Sequence, residues 1–279
     1  MVDILLTMVL TTAGPVAVPT GRLVEQRWWE SVTLVVTELV LLWVLLDLYD
    51  LVVPHALGDA AGAVGHGHAL WDLEAAWGVD VERSWYDALA GHSALLDAAH
   101  LYYAESIYLV PAVVAILLVV HDVERYRAMR STFVATTLLA YAVFWAYPVA
   151  PPCLLPGSGL ACGEPAPPDP FGALPSLHVA WAAVSAVGLV LLSTRPWVRG
   201  LAVAHVALTV AVVLATGHHF VVDTVTGLAV VLAVVLVRRL LPTTRPSVRR
   251  ADPAASAPRR GRASTPRALP PTPPRTARR

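Results

Sequence analysis

The chain has 279 residues, 56% of them hydrophobic and only 14% charged, with a mean hydropathy of +0.61 and a formal net charge of zero. That composition lies well outside the range of soluble domains and excludes an ordinary water-soluble globular fold. The balanced charge hides an asymmetry: there is no lysine, all 20 basic residues are arginine, and ten of them lie in 241–279 beside a single acid, Asp252.

In chain order, residues 1–20 are apolar but lack a basic leading segment and contain Gly14, Pro15 and Pro19. They read poorly as a signal peptide or as a span, so 1–29 stands as an N-terminal segment of uncertain role. Apolar runs then recur at roughly 31–53, 106–121, 131–149, 177–194, 198–216 and 219–237, each near the length an α-helix needs to cross the hydrocarbon core. The expected fold class is all-α: a polytopic integral membrane helical bundle with six core transmembrane helices, filling one domain over 30–240. Between the first two runs, "WDLEAAWGVDVERSWYDAL" combines Trp71, Trp77 and Trp85 with apolar residues at helical spacing, which predicts a helix lying at the membrane interface. Cys153 and Cys162 share the loop 150–176, where a disulfide is chemically allowed. With no further cysteine, nothing suggests a metal site. The Pro-, Ala- and Arg-rich segment 241–279 cannot bury enough apolar surface to fold and reads as a disordered tail held near anionic lipid. A nucleic-acid partner is not expected.

The remaining arginines set the topology. Arg22 and Arg27 precede the first span; Arg125, Arg127 and Arg130 join the second and third. Arg195 and Arg199 join the fourth and fifth, and Arg238 and Arg239 follow the sixth. If the spans alternate, these nine fall on one side and only Arg83 on the other. The positive-inside rule then places both termini in the cytoplasm and the loops 54–105 and 150–176 outside, at the plasma membrane.

Within that topology, "GALPSLHVAWAAV" brings His178 to the outer end of the fourth span, and "ATGHHFVVDTVTG" brings His219 and Asp223 to the outer end of the sixth. Residues four apart share a helix face, so Asp223 can orient the His219 ring and leave its other nitrogen free to attack. A second histidine, His178, is placed to serve as general acid. Ionisable groups at the ends of membrane spans are functional candidates. Asp97, His100, Tyr102, Tyr103 and Glu105, at the outer end of the second span, suit head-group contacts, with interfacial anchoring as the bland alternative. His55, His66, His68 and His92 read as solvated, and His205 as a hydrogen-bond partner between helices. Glu38 has no visible role.

"PSLH" followed by "HHFVVD" resembles the second and third signature motifs of the type 2 phosphatidic acid phosphatase superfamily. It is most similar to the inositol-phosphorylceramide-synthase-like branch, whose members transfer inositol phosphate. The similarity also touches "YPVAPP" (147–152) and "DLEAAWGVDVE" (72–82), and covers roughly residues 30–237. The resemblance implies that His219 is a nucleophile forming a phosphohistidine, that Asp223 orients it, and that His178 protonates the leaving alcohol. It implies no metal and no cofactor. The partners it implies are a membrane lipid phosphate substrate and an alcohol or water acceptor in the lipid bilayer. Two departures stand out: the superfamily's lysine-bearing first motif is missing, and Val213 occupies the position of an arginine six residues before the nucleophile. Candidates to replace that phosphate clamp are His218, the Ser176 hydroxyl and backbone N–H groups opening the fourth span, with Tyr103 and His100 as further substrate contacts. The expected activity is a lipid phosphotransferase, with a lipid phosphate phosphatase and a non-catalytic lipid-binding scaffold as alternatives.

Overall fold

A computed structural model describes residues 21–163 and 170–240, with side chains from Val32 onward. The N-terminal apolar segment and the arginine-rich tail lie outside the described residues. The chain is all-helical, 82% helix with no strands among the described residues. The helices are α1 (Gly21–Gly58), α2 (Ala60–Trp77), α3 (Glu82–Ala90), α4 (Ser93–His121), α5 (Val123–Ala146), α6 (Leu177–Leu192), α7 (Pro196–Ala215) and α8 (Val221–Leu240).

Four of these are long and apolar enough to cross a membrane: Val32–Gly58, Ser93–His121, Pro196–Ala215 and Val221–Leu240. The expected fourth span is apolar but runs only 16 residues, from Leu177 to Leu192, a rise of about 24 Å against a hydrocarbon core of about 30 Å. The expected third lies in α5, whose first two turns carry Glu124, Arg125, Arg127 and Arg130. Large apolar side chains point outward all around the bundle, among them Leu39, Trp43, Leu101, Val120 and Val203, each more than half exposed. Such a belt would be a liability in water and is satisfied by lipid.

At the centre, α6 touches α4, α5, α7 and α8. Its Ala180 and Val184 join Val114, Leu118, Tyr126, Met129 and Val231 in one buried cluster. One close approach in this packing involves Gly227 of α8: a Cβ there would lie 2.6 Å from the Ser176 carbonyl oxygen. Only a residue without a side chain lets α8 meet the beginning of α6.

The stretch 71–89, expected as one interfacial helix, is divided between two, the end of α2 and α3, and the chain turns at Gly78 between them. The loop after α5 is tied down at several points. Val149 pairs with Gly172 in an isolated bridge, Ala150 N–H donates to the Ala63 carbonyl oxygen, and Cys153 and Cys162 form a disulfide. Two histidines read as solvated prove engaged. His66 Nδ1–H donates to the Pro148 carbonyl oxygen at 2.8 Å and its ring stacks on Tyr147, while His55 stacks on Trp145. Each had a ring partner some 80 to 90 residues away that no local pattern reveals. His205 bonds Tyr102 between α7 and α4, as expected, and Glu38 gains a partner in Arg130.

Candidate active site

Two helix starts and one stacked tyrosine build the site. Ser176 caps α6: its Oγ accepts the Val179 N–H, and its own N–H donates to the Asp223 carbonyl oxygen at 3.0 Å. His178 follows in the first turn. On the other side, the chain leaves α7 through Thr216 and Gly217, whose φ of +69° favours glycine. His218 and His219 come next, and α8 begins at Val221. Phe220, fully buried on Leu70, Val149, Ala150 and Ala173, anchors this turn from below.

His219 is 3% exposed. Its Nδ1–H donates to the Ala173 carbonyl oxygen at 2.9 Å and lies 3.4 Å from Asp223 Oδ2. With the proton held on Nδ1, Nε2 carries the lone pair, and that atom is buried with no hydrogen-bond partner among the described residues. Asp223 Oδ2 also accepts the Phe220 N–H at 2.9 Å, the reach-back arm of a capping box, so the carboxylate is fixed by the helix it opens.

His178 lies with its ring centroid 5.7 Å from that of His219, and its Nε2–H donates to the Tyr103 carbonyl oxygen at 3.2 Å. The Tyr103 ring is sandwiched between His178 at 3.9 Å and His218 at 4.0 Å, and His100 meets His218 edge-on at 5.6 Å. All seven residues singled out from the sequence, His100, Tyr103, Ser176, His178, His218, His219 and Asp223, therefore converge.

The candidate replacement for the arginine clamp is not a cation. Burial, with His219 and His100 adjacent, pushes His218 down to about 3, so the ring is neutral at physiological pH. It can offer an anion a hydrogen bond and no charge. Cys153, Cys162 and His218 approach one another as a metal-ligand trio would. Both sulfurs are consumed in the disulfide, however, so neither is a thiolate ligand.

Two residues of the site had no role assigned from sequence. Glu82 Oε1 accepts the Val221 N–H at 3.0 Å, and Glu74 Oε1 accepts the Val222 N–H at 2.7 Å. Each is 1% exposed. With Asp223 on Phe220, three carboxyls occupy successive backbone donors at the start of α8. The signal was two glutamates in "DLEAAWGVDVE", a stretch with no basic residue to pair them.

A family model described as the PAP2 superfamily matches residues 68–237, more than half of the chain and every residue of this site. No curated protein and no solved structure matches.

Proposed function

The chain belongs to the PAP2 superfamily, a group of phosphatases and phosphotransferases acting on lipid phosphates, and from that premise we propose that it is a membrane lipid phosphotransferase. The observation that carries the reading is the His219 ring, with Nδ1–H locked on Ala173 and Asp223 and Nε2 buried without a partner. Nε2 attacks the phosphorus of the donor lipid, the bond to the leaving alcohol breaks, and His178 gives that oxygen its proton. The phosphohistidine then meets an acceptor alcohol. His178 takes the acceptor's proton, a new P–O bond forms, the P–N bond breaks, and His219 is restored. His218, Ser176, His100 and Tyr103 hold the phosphate and head group by hydrogen bonds.

Transfer is favoured over hydrolysis because His218, His219 and Asp223 are all at most 4% exposed, so a bound alcohol competes well against water. The motif resemblance points to inositol phosphate as the transferred group. The arginine pattern, counted over the six spans expected from the sequence, supports a plasma-membrane protein with the site on the outer face and both termini inside.

The test is to incubate the purified protein with phosphate-labelled lipids, inositol-bearing donors included, with and without alcohol acceptors, beside His219→Ala. Label entering a new lipid only with acceptor and only with His219 supports transfer. Label released as free phosphate makes the protein a lipid phosphatase. No turnover by folded protein makes it a non-catalytic lipid-binding scaffold.

A further inference from the structure

Glu74 and Glu82 stand out because they are buried carboxyls that no cation balances. Among the described residues, neither forms an ion pair with an arginine or histidine. Their neighbours are each other, Asp223 and the backbone donors of α8. The two carboxyls, both buried, sit on the N–H groups of adjacent residues, Val221 and Val222, a juxtaposition that two ionised carboxylates oppose and a proton on one of them relieves. Glu74 Oε2 supplies the place for it: buried, and without any N–H donor aimed at it.

We propose that Glu74 and Glu82 form a carboxyl pair sharing one proton, and that this pair positions His219 by fixing the start of α8. One oxygen from each residue clamps a backbone N–H of Val221 or Val222, immediately after the nucleophile. The remaining oxygens share the proton. The arrangement also limits charge: with both residues ionised beside Asp223, three negative charges would crowd the place that an anionic phosphoryl group must approach, in a chain with no lysine. With the proton in place, the pair contributes one. These are positioning residues, since neither touches the reacting atoms, and this account of their purpose rests on the phosphotransfer reading.

The direction of titration agrees. Burial is the first cause raising both groups, and it pushes Glu74 up to about 8. A carboxyl kept protonated in the fold but free to ionise in the unfolded chain loses its relative stability progressively from the ordinary carboxylate range up to that value. Stability should therefore fall with rising pH until about 8, and the shared proton should leave above it.

The experiment follows melting temperature and lipid phosphate turnover of the full-length protein in detergent from pH 5 to 10, for wild type, Glu74→Gln, Glu82→Gln and Glu74→Ala. Glu74→Gln keeps the acceptor for Val222 and donates permanently to Glu82. It is expected to keep the neutral-pH rate, to extend activity past the wild-type alkaline limb, and to flatten the pH dependence of melting. Glu82→Gln should do the same with the roles exchanged. Glu74→Ala, which orphans a buried N–H, should lose at least about tenfold in turnover. A glutamine variant with an unchanged pH profile, or one as damaged as alanine at every pH, overturns the shared proton. Turnover with an unresponsive profile sinks the pair and leaves the phosphotransfer reading standing. A responsive melting profile without any turnover sinks the phosphotransfer reading and leaves the pair.

Discussion

The two ends of this bundle handle charge in opposite ways. At the end where α6 and α8 begin, Glu74, Glu82 and Asp223 are held by backbone N–H groups, with no arginine among their partners. At the far end, arginines do the binding. Arg130 pairs with Glu38 at 2.7 Å, Arg125 with Asp122 at 2.9 Å, and Arg238 donates to the Ala128 carbonyl oxygen and to the Thr132 and Ser131 hydroxyls. An ion pair between flexible side chains tolerates small displacements of either helix. A carboxyl seated on a fixed N–H group of a helix terminus tolerates almost none. The first arrangement staples helices together, and the second sets the position of particular atoms.

The comparison predicts that damage to the N–H-held end appears in chemistry, and damage to the arginine-held end in stability. The largest effect belongs to Asp223→Asn, which keeps a side-chain oxygen for Phe220 N–H but removes the charge beside His219 Nδ1. Turnover should fall by roughly 10³-fold with little change in melting temperature, and an unchanged rate would dissolve the distinction. Gly227→Val comes next. Its Cβ meets the Ser176 carbonyl at 2.6 Å, so α6 and α8 must separate at a cost of about 1–3 kcal/mol. Melting temperature and turnover should drop together. Smallest is Glu38→Gln, which weakens a pair about a quarter exposed and should cost about 1 kcal/mol or less. Melting should shift by a few degrees while the turnover rate stays at wild type. A slower rate in that variant would mean that the two ends are coupled.

What could be read from the sequence follows the same division. "PSLH" and "HHFVVD" announce helix starts that carry histidines and an aspartate, and the i,i+4 relation of His219 and Asp223 is local, so the centre of the site was legible. Glu74 and Glu82 were not, because the groups they bind lie 148 and 139 residues further along. In a tryptophan-bearing amphipathic stretch their acidity reads as a solvated face. Glu38 was obscure for the same reason, its partner being 92 residues away. The count of spans was only partly legible. Hydropathy marks apolar runs, yet α5 joins an arginine-rich beginning to an apolar end in one continuous helix, and α6 is shorter than its apolar surroundings suggest.

The distance between those glutamates and their partners also orders the assembly of the molecule. Helices of a membrane protein satisfy their own backbones as they form, so α2 and α3 can exist long before α8 does, while contacts of such long sequence separation close late. Until α8 is made, Glu74 and Glu82 have no terminus to seat upon and remain two ionised groups. Its arrival supplies His219, Asp223 and the waiting N–H donors together, and the last step of maturation takes up a proton from the surrounding water.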